Sequence, residues 1–275
     1  MDAPRRERWR LIRSAPLAGA WNMAVDEAVL EAVARGEHPP TLRLYAWDPP
    51  CLSLGVAQPV ADADRAALAR RGWDLVRRPT GGRALLHTDE LTYAVAAPAQ
   101  HPLLAGGVLP AYQRLSAALL DALRQLGLPA AAQQAQDAQG PGANPVCFET
   151  PGAFEIRAGD RKLIGSAQVR RAQGVLQHGS LPLEGDIGRV CAVLALGDDD
   201  ARAQAAARLR RRAATVESVL GRRAAWEEAA QAFAAGFARA LAIDLIEAPL
   251  SAAEHARAAV LAEARYGHAR WTSRL

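Results

Sequence analysis

Residues 161–183 read RKLIGSAQVRRAQGVLQHGSLPL, which contains two runs of strand-forming residues, at 161–169 and 174–183. A third run of this kind lies just upstream, at 154–158. The dipeptide Gly159-Asp160, which separates the runs at 154–158 and 161–169, is typical of a tight hairpin turn. The sequence therefore predicts three consecutive strands.

The strand at 161–169 holds the only lysine of the chain, Lys162; every other one of the 33 basic residues is arginine. A composition that uses arginine wherever it serves makes the one retained lysine a candidate for chemistry that arginine cannot perform, since an amine can lose its proton and its ammonium is compact. A surface lysine retained by chance is the alternative. Strand alternation predicts Lys162 and Ile164 on one face, and Leu163 and Gly165 on the other.

Four small or polar residues follow soon after the lysine: Gly165, Ser166, Ala167 and Gln168. Small side chains in a strand leave room for a ligand or for another backbone. If the next strand pairs with this one, His178 and Gly179 lie beside the small residues. The alternatives are a close-packed sheet crossing and, for His178, a purely structural hydrogen bond.

A second candidate segment is RRPTGGRALLH at 77–87, in which one strand leads into a glycine turn and another leaves it. Paired glycines let the backbone approach a ligand and turn its N–H groups inward, and arginines bind phosphate or carboxylate. The segment matches neither the Walker pattern nor the dinucleotide fingerprint. The alternative is a basic hairpin turn with a structural histidine. The candidate binding residues are Arg78, Thr80, Gly81, Gly82, Arg83 and His87.

Of the three cysteines, Cys147 lies in NPVCF at 144–148, at the end of a predicted loop. Cys51 begins an apolar strand, and Cys191 lies within an apolar run, so both are predicted to be core residues. A cysteine thiolate is a good nucleophile for acyl transfer, and a nearby cation favours it by lowering the pKa of the thiol. The cysteines are too few for a disulfide framework and lack zinc spacing, so reduced thiols and no metal site are expected.

Further elements follow from hydrophobic periodicity and turn residues. Residues 133–144 are predicted to form a loop, and the chain becomes mostly helical from residue 187, although a strand near its end can still return to the main sheet. This pattern predicts a mixed α/β (α+β) fold with an α-rich C-terminal tail. The predicted helices are 22–34, 62–71, 110–126, 187–196, 199–212, 226–241 and 252–265, and the further strands are 41–47, 51–55, 73–77, 84–87, 91–97 and 243–247.

Composition sets broad limits on the kind of protein. Half of the 275 residues are apolar and 23% are charged, which is typical of a globular chain. A net charge of +4 is too small and too diffuse to predict nucleic-acid binding. No apolar run is long enough for a membrane span, and the charged first residues do not resemble a secretion signal, so a cytoplasmic protein is expected.

Taken in order, these segments resemble the catalytic domain of the lipoate–protein ligase, octanoyltransferase and biotin–protein ligase family. The resemblance begins at AWNMAVDEA (20–28) and continues through 77–87 with ELTY (90–93), Cys147, 162–168 and 177–183. It implies a mixed-sheet catalytic domain over 8–245, followed by a helical tail over 246–275. Cys147-Phe148 upstream of a Lys-x-x-Gly-Ser-Ala-Gln strand is similar to one octanoyltransferase branch.

The resemblance implies that Cys147 accepts an octanoyl group from acyl carrier protein and that Lys162 activates it. The acyl group then passes to a lysine of a lipoyl domain, such as that of the glycine-cleavage H protein. No cofactor is implied; neither nucleic acid nor a membrane is an expected partner.

Three alternatives stay open at this point. An ATP-dependent lipoate–protein ligase would form an acyl-adenylate and would need ATP and magnesium. The other two are an amidotransferase between lipoyl domains and a non-catalytic module that binds acyl groups or lipoyl domains. Arg83 stands where the ligases usually have a third glycine, and Thr88 follows His87 where aspartate is common; both differences disfavour the ligase.

Overall fold

The computed structural model describes residues 5–134 and 154–275. Its strands are β1 (Glu7–Arg13), β2 (Thr41–Tyr45), β3 (Cys51–Leu54), β4 (Asp74–Arg77), β5 (Leu85–His87), β6 (Glu90–Pro98), β7 (Ala130–Gln134), β8 (Phe154–Ala158), β9 (Arg161–Arg170), β10 (Gly174–Pro182) and β11 (Ile243–Glu247). Its α-helices are α1 (Gly19–Ala34), α2 (Arg65–Arg71), α3 (Val108–Gln125), α4 (Asp199–Arg212), α5 (Val216–Leu220), α6 (Trp226–Ala240), α7 (Ala252–Leu261) and α8 (Ala269–Thr272). Shorter 3-10 helices span Val60–Asp62 and Ile187–Val193, and a π-helix spans Ala262–Tyr266.

Two sheets organise these elements. The large sheet has the strand order β11-β1-β2-β6-β10-β9-β8-β7, and the small sheet has the order β4-β3-β5. β1 runs parallel to both β11 and β2. Across the rest of the large sheet, from β2 through β6, β10, β9 and β8 to β7, each neighbouring pair is antiparallel. β9 and β10 pair so that Ser166 faces Gly179 and Ala167 faces His178. The predicted mixed fold and the predicted pairing of these two strands are confirmed.

Helices cover both faces of the large sheet because each helix has an apolar face to bury. On one face, α3 and α6 pack against the sheet through residues such as Leu115, Leu119 and Phe233. On the other face, α1 and α7 form a second core with Tyr45 and Trp47. A third core lies between the small sheet, α2, the 3-10 helix Ile187–Val193 and α4.

The structure departs from the sequence prediction at two strands. Gln133 and Gln134, predicted as the start of a loop, belong to β7, while the rest of that predicted loop lies outside the described residues. The sequence of β7, AAAQQ, has good helix formers, and pairing with β8 overrides that preference. β1 was not predicted, since its arginines interrupt the apolar pattern; Arg10 is nevertheless buried. The helix predicted at 187–196 is a 3-10 helix over Ile187–Val193.

The predicted alternation along β9 is wrong around Leu163. Ile156 of β8 faces Ile164, but the next residue, Arg157, faces Lys162, so β9 holds one extra residue at this point. Such a β-bulge breaks the two-residue alternation of side chains. Leu163 and Ile164 are consequently both buried in the same hydrophobic core.

The C-terminal residues pack closely on the rest of the chain, and the predicted domain boundary at 245–246 falls inside β11. The carboxylate of Glu254 in α7 accepts hydrogen bonds from Nη1 and Nη2 of Arg10, with N–O distances of 2.8 and 2.5 Å. Both side chains are buried. Burial opposes ionisation of Glu254, but hydrogen bonds from Arg10 and Ser251 outweigh it and lower the pKa of the carboxyl. This ion pair therefore joins the tail to β1.

Replacing Glu254 by alanine is expected to lower the free energy of unfolding by about 3 kcal/mol or more, because Arg10 would stay buried without a counter-charge. In the native chain this contribution is present above the unfolded carboxyl pKa of about 4.3 and is lost as pH falls through the lower folded pKa. Chemical denaturation measures both effects. The exposed pair of Arg239 and Asp121 is the control, with an expected loss below about 1 kcal/mol for Arg239→Ala. Equal losses in the two variants would contradict the prediction.

Candidate active site

A small cavity of about 50 Å³ lies between the two sheets. Its walls are mostly apolar. One wall is the β9–β10 pair, the opposite wall is the small sheet with its glycine turn, and side chains of α1, β2 and β6 complete the enclosure. The lining residues are Met23, Tyr45, Trp47, Ser53, Arg78, Gly82, Leu85, His87, Thr92, Gly165, Ser166, Ala167, His178, Gly179 and Ser180.

The wall formed by β9 and β10 needs glycine at position 179. A Cβ atom there would lie 2.6 Å from Ser166 Oγ and 2.6 Å from Tyr93 Cε1, closer than real atoms approach. Ser166 Oγ and the Tyr93 hydroxyl are hydrogen-bonded at 2.8 Å. The small residues predicted to leave room in the sheet thus admit a tyrosine hydroxyl from β6 as well as lining the cavity.

The glycine turn is held by the guanidinium group of Arg78. Nε and Nη2 donate to the Gly81 carbonyl at 3.2 and 2.7 Å, and Nη2 also donates to the Arg83 carbonyl at 2.8 Å. Nη1 donates to the carbonyl and the hydroxyl of Ser53 at 3.0 and 3.1 Å. Since a guanidinium has five N–H donors, these contacts engage all of them. Gly82 has φ +91°, and a Cβ atom there would lie 2.8 Å from Arg78 Nη2.

A chain of buried hydrogen bonds links this turn to the large sheet. The Thr80 hydroxyl lies 2.7 Å from Nε2 of His178, and Nδ1 of His178 lies 3.2 Å from Oδ2 of Asp26. Asp26 also accepts from Arg43 Nη1 at 2.7 Å and from the Tyr45 hydroxyl at 2.8 Å. All of these side chains are buried.

The charges along this chain follow from its contacts. Burial opposes ionisation of Asp26, but His178 and Arg43 outweigh it and lower the pKa of the carboxyl. Burial also lowers the pKa of His178, against the opposing effect of Asp26. An ionised Asp26 only accepts hydrogen bonds, so Nδ1 of a neutral His178 carries the hydrogen and Nε2 accepts from Thr80.

His87 has a parallel arrangement in the small sheet. Its Nδ1 lies 2.6 Å from Oε1 of Glu90, its Nε2 lies 2.8 Å from the Ser53 hydroxyl, and its ring stacks on Trp47 with centroids 3.9 Å apart. Burial opposes ionisation of Glu90, but His87 and hydrogen-bonding hydroxyls such as that of Thr92 outweigh it and lower the pKa. Both histidines of the cavity wall are therefore fixed by a buried carboxylate on one nitrogen and a hydroxyl on the other.

Lys162 lies three residues before Gly165 along β9 and forms an ion pair with a residue that the sequence prediction missed. Its Nζ is 2.9 Å from Oε1 of Glu155 on β8, and the two side chains are only 10% and 6% exposed. The lysine is thus a buried, paired cation at the end of the strand that carries the small residues.

The structure brings most of the predicted site residues to one cavity. Arg78, Gly82, His87, Gly165, Ser166, Ala167, His178 and Gly179 line it. Thr80, Gly81 and Arg83 belong to the glycine turn but do not line the cavity. Gln168 follows Ala167 on β9 and is hydrogen-bonded to Gln177. Cys147 lies outside the described residues.

Sequence reasoning missed the acidic partners Asp26, Glu90 and Glu155. Asp26 looked like an acid at the start of a helix, but α1 begins at Gly19, so Asp26 lies on a buried part of the helix. Its position among Met23, Val25 and Ala28 was an available signal, because an unpaired acid is not tolerated there. Cys51 and Cys191 are buried, as predicted, and burial raises the pKa of Cys51 well above its usual value.

The described residues offer neither a metal site nor a membrane-spanning helix. No three His, Cys, Asp or Glu side chains in residues 5–134 and 154–275 converge where a metal ion could bind. Within the same residues, every helix is too short or too polar to reach across a lipid bilayer.

The site is thus a small, mostly apolar cavity on a mixed α/β scaffold, with the buried Lys162 three residues before Gly165 along β9. The family model that describes the lipoyl protein ligase A/B catalytic domain matches residues 18–238. The chain is 41% identical over 271 residues to octanoyltransferase LipM of Symbiobacterium thermophilum, covering 97% of this chain and 98% of that protein. It is 40% identical to octanoyltransferase LipM of Moorella thermoacetica, covering 98% of both.

Among solved structures, the chain is similar to the bi-partite lipoate protein ligase of Thermoplasma acidophilum, with a TM-score of 0.81 and 24% identity over 97% of this chain and 96% of that one. A lipoate–protein ligase A bound with ATP gives a TM-score of 0.78 at 24% identity, over 98% and 99% of the two chains. These two likenesses show the fold.

The chain belongs to the lipoyl protein ligase A/B catalytic domain family. It is an acyltransferase enzyme, of the octanoyltransferase kind that acts in lipoate biosynthesis.

Replacing Arg78 by lysine is expected to lower the free energy of unfolding by about 2 kcal/mol or more, because an ammonium cannot reach the separate carbonyls that the guanidinium joins. Chemical denaturation measures the loss. Arg65→Lys, at the exposed start of α2, makes the same chemical change on the surface and should alter stability by no more than about 0.5 kcal/mol. Similar stabilities for the two variants would show that Arg78 does not hold the turn.

Proposed function

We propose that this enzyme transfers an octanoyl group from acyl carrier protein to a lysine of a lipoyl domain through a thioester on Cys147. The observation that supports this most strongly is the similarity, along nearly the whole chain, to proteins named octanoyltransferases. A mildly basic enzyme also suits acidic carrier and lipoyl domains.

In the first half of the reaction, the Cys147 thiolate attacks the carbonyl carbon of the octanoyl thioester. A carbon–sulfur bond to Cys147 forms, the bond to the carrier's sulfur breaks, and the carrier leaves as a thiolate, which takes up the proton that the Cys147 thiol released on ionising. Cys147 stands in the segment between β7 and β8, and Lys162 is on the strand that follows β8. A cation in that neighbourhood favours the thiolate by lowering the pKa of the thiol.

In the second half, the ε-amine of the acceptor lysine attacks the acyl-enzyme. An amide bond forms, Cys147 leaves with the electron pair of the broken carbon–sulfur bond, and the proton that the amine loses passes to the Cys147 sulfur. No ATP is required, because the conversion of a thioester into an amide is downhill. Two acyl exchanges replace one difficult step.

The cavity between the sheets supplies the acyl-binding part of the proposal. Its mostly apolar walls suit a hydrocarbon chain, and each buried CH₂ contributes about 0.8 kcal/mol. We assign Arg78 to shaping this cavity by holding the glycine turn, since its N–H groups are engaged by protein oxygens. The other predicted binding residues act as wall and turn: Thr80, Gly81, Gly82, Arg83, His87, Gly165, Ser166, Ala167, Gln168, His178 and Gly179.

Replacing Cys147 by alanine is expected to abolish octanoyl-enzyme formation from octanoyl carrier protein in the absence of ATP. Intact-mass measurement detects the intermediate in the native enzyme as a gain of about 126 Da, one octanoyl group. Cys51→Ala and Cys191→Ala are the matched controls, because both cysteines are buried in the core. An unchanged mass gain in Cys147→Ala would refute the thioester.

Replacing Lys162 by arginine is expected to slow octanoyl-enzyme formation by a factor of about 100 or more, although the positive charge is kept. The guanidinium is broader than an ammonium, and the native side chain is buried in a close contact that the larger group would disturb. Mass spectrometry of samples quenched at successive times measures the rate of octanoyl-enzyme formation. A rate within about threefold of the native enzyme would show that acyl transfer does not need a lysine at this position.

An ATP-dependent ligase is the second candidate, because a ligase A bound with ATP has the same fold. It predicts lipoate-stimulated exchange between ATP and pyrophosphate that survives the loss of Cys147. Transfer between two lipoyl domains by the same thioester is tested by offering an octanoylated lipoyl domain as the only donor. Acylation from that donor at the rate given by octanoyl carrier protein would favour the amidotransferase.

A further inference from the structure

We propose that Glu155 is a positioning residue for acyl transfer, whose carboxylate holds Lys162 in place as a permanent ammonium ion. Lys162 then supplies fixed positive charge and does not act as a base. The inference rests on the proposed function, in which Lys162 assists the acyl exchange. It decides between the two contributions, cation and base, that a lysine can make at this position.

The contact is short and shielded from water. Lys162 Nζ lies 2.9 Å from Glu155 Oε1, and the side chains are 10% and 6% exposed. Arg157 Nη1 lies 3.3 Å from the other carboxylate oxygen, Oε2. Glu155 therefore lies between two cations, and its carboxylate is their shared counter-charge.

Backbone pairing fixes this arrangement. Arg157 faces Lys162 across the β8–β9 pair, and Glu155 is two residues away along β8, on the same face as Arg157. The bulge in β9 sends both Leu163 and Ile164 into the core. On the other side of Lys162, its carbonyl accepts the N–H of Ala214 at 2.9 Å, so its backbone is fixed from two directions.

The electrostatics favour the ammonium. A lysine is protonated at neutral pH, and a buried ammonium is tolerated when an opposite charge and hydrogen bonds replace water. Loss of the proton from Lys162 would remove the positive charge that lies 2.9 Å from the Glu155 carboxylate. Within residues 5–134 and 154–275, charged groups beside Lys162 include Glu155, at 2.9 Å, and Arg157, which contacts the same carboxylate.

The scarcity of lysine permits a direct test. Protein grown with ¹³C-lysine has one labelled side chain, so its Cε signal reports the charge of Lys162 without assignment work. In Glu155→Gln, the midpoint of this signal's titration is expected to fall by about one pH unit or more. Glu155→Asp, which retains the charge at a greater distance, should lie between that variant and the native chain.

Glu247→Gln is the matched control, because Glu247 is an exposed glutamate on β11 with a distant arginine partner. Its lysine signal should titrate as in the native chain. A Glu155→Gln titration that coincides with the native one would overturn the proposal. If that variant does not fold, Glu155→Asp decides the matter in the same way, since a native midpoint there would overturn it.

A second measurement separates this inference from the proposed function. Octanoyl-enzyme formation should be at least about tenfold slower in Glu155→Gln and partly restored in Glu155→Asp, while Glu247→Gln matches the native rate. A shifted lysine signal together with a native enzyme that never gains an octanoyl group would refute the thioester but keep the ion pair. A native rate in Glu155→Gln would refute the positioning role.

Discussion

The glycine turn keeps its shape because one guanidinium group, that of Arg78, joins the carbonyls of Ser53, Gly81 and Arg83. The guanidinium of the neighbouring residue, Arg77, also donates hydrogen bonds to backbone carbonyls, but those of other segments. Arg77 donates to the carbonyls of Gly55 and Gln58, and to that of Thr272 in the C-terminal helix α8. Two consecutive side chains thus connect the small sheet to the cavity and to the end of the chain.

Charge is buried at several places in the fold, and each of the pairs named below brings opposite charges together. Asp26 contacts Arg43, Glu155 contacts Lys162, and Glu254 contacts Arg10. Glu27, next to Asp26, accepts from Arg265 and from the hydroxyl of Tyr266, which lie in the C-terminal π-helix. Because removing one partner would leave an unpaired buried charge, these contacts restrict how the tail and the sheet can be rearranged.

Local patterns were sufficient to predict the centre of the fold. Strand-forming runs on either side of Gly159-Asp160 predicted the β8–β9 hairpin, and the one retained lysine marked the strand that borders the cavity. The partners of these residues were beyond such reasoning. Glu155 is seven residues from Lys162 in the sequence, and only the strand register brings the two together.

The same limit explains the errors. The bulge at Leu163 depends on how two strands pair, and the strand at 130–134 depends on β8 being available as its neighbour. Asp26 and His178 are 152 positions apart, yet they share a hydrogen bond because α1 packs on β10. Local sequence predicts which elements form, whereas the charge network of the site follows from their assembly.

The buried, paired state of the single lysine has a consequence for the enzyme's own surface. A catalyst that hands activated acyl groups to lysine amines risks acylating itself and its neighbours. This chain presents arginine at its surface, and its one side-chain amine is covered and bound to a carboxylate. Guanidinium groups stay protonated and are poor nucleophiles, so an enzyme built in this way is protected from self-modification.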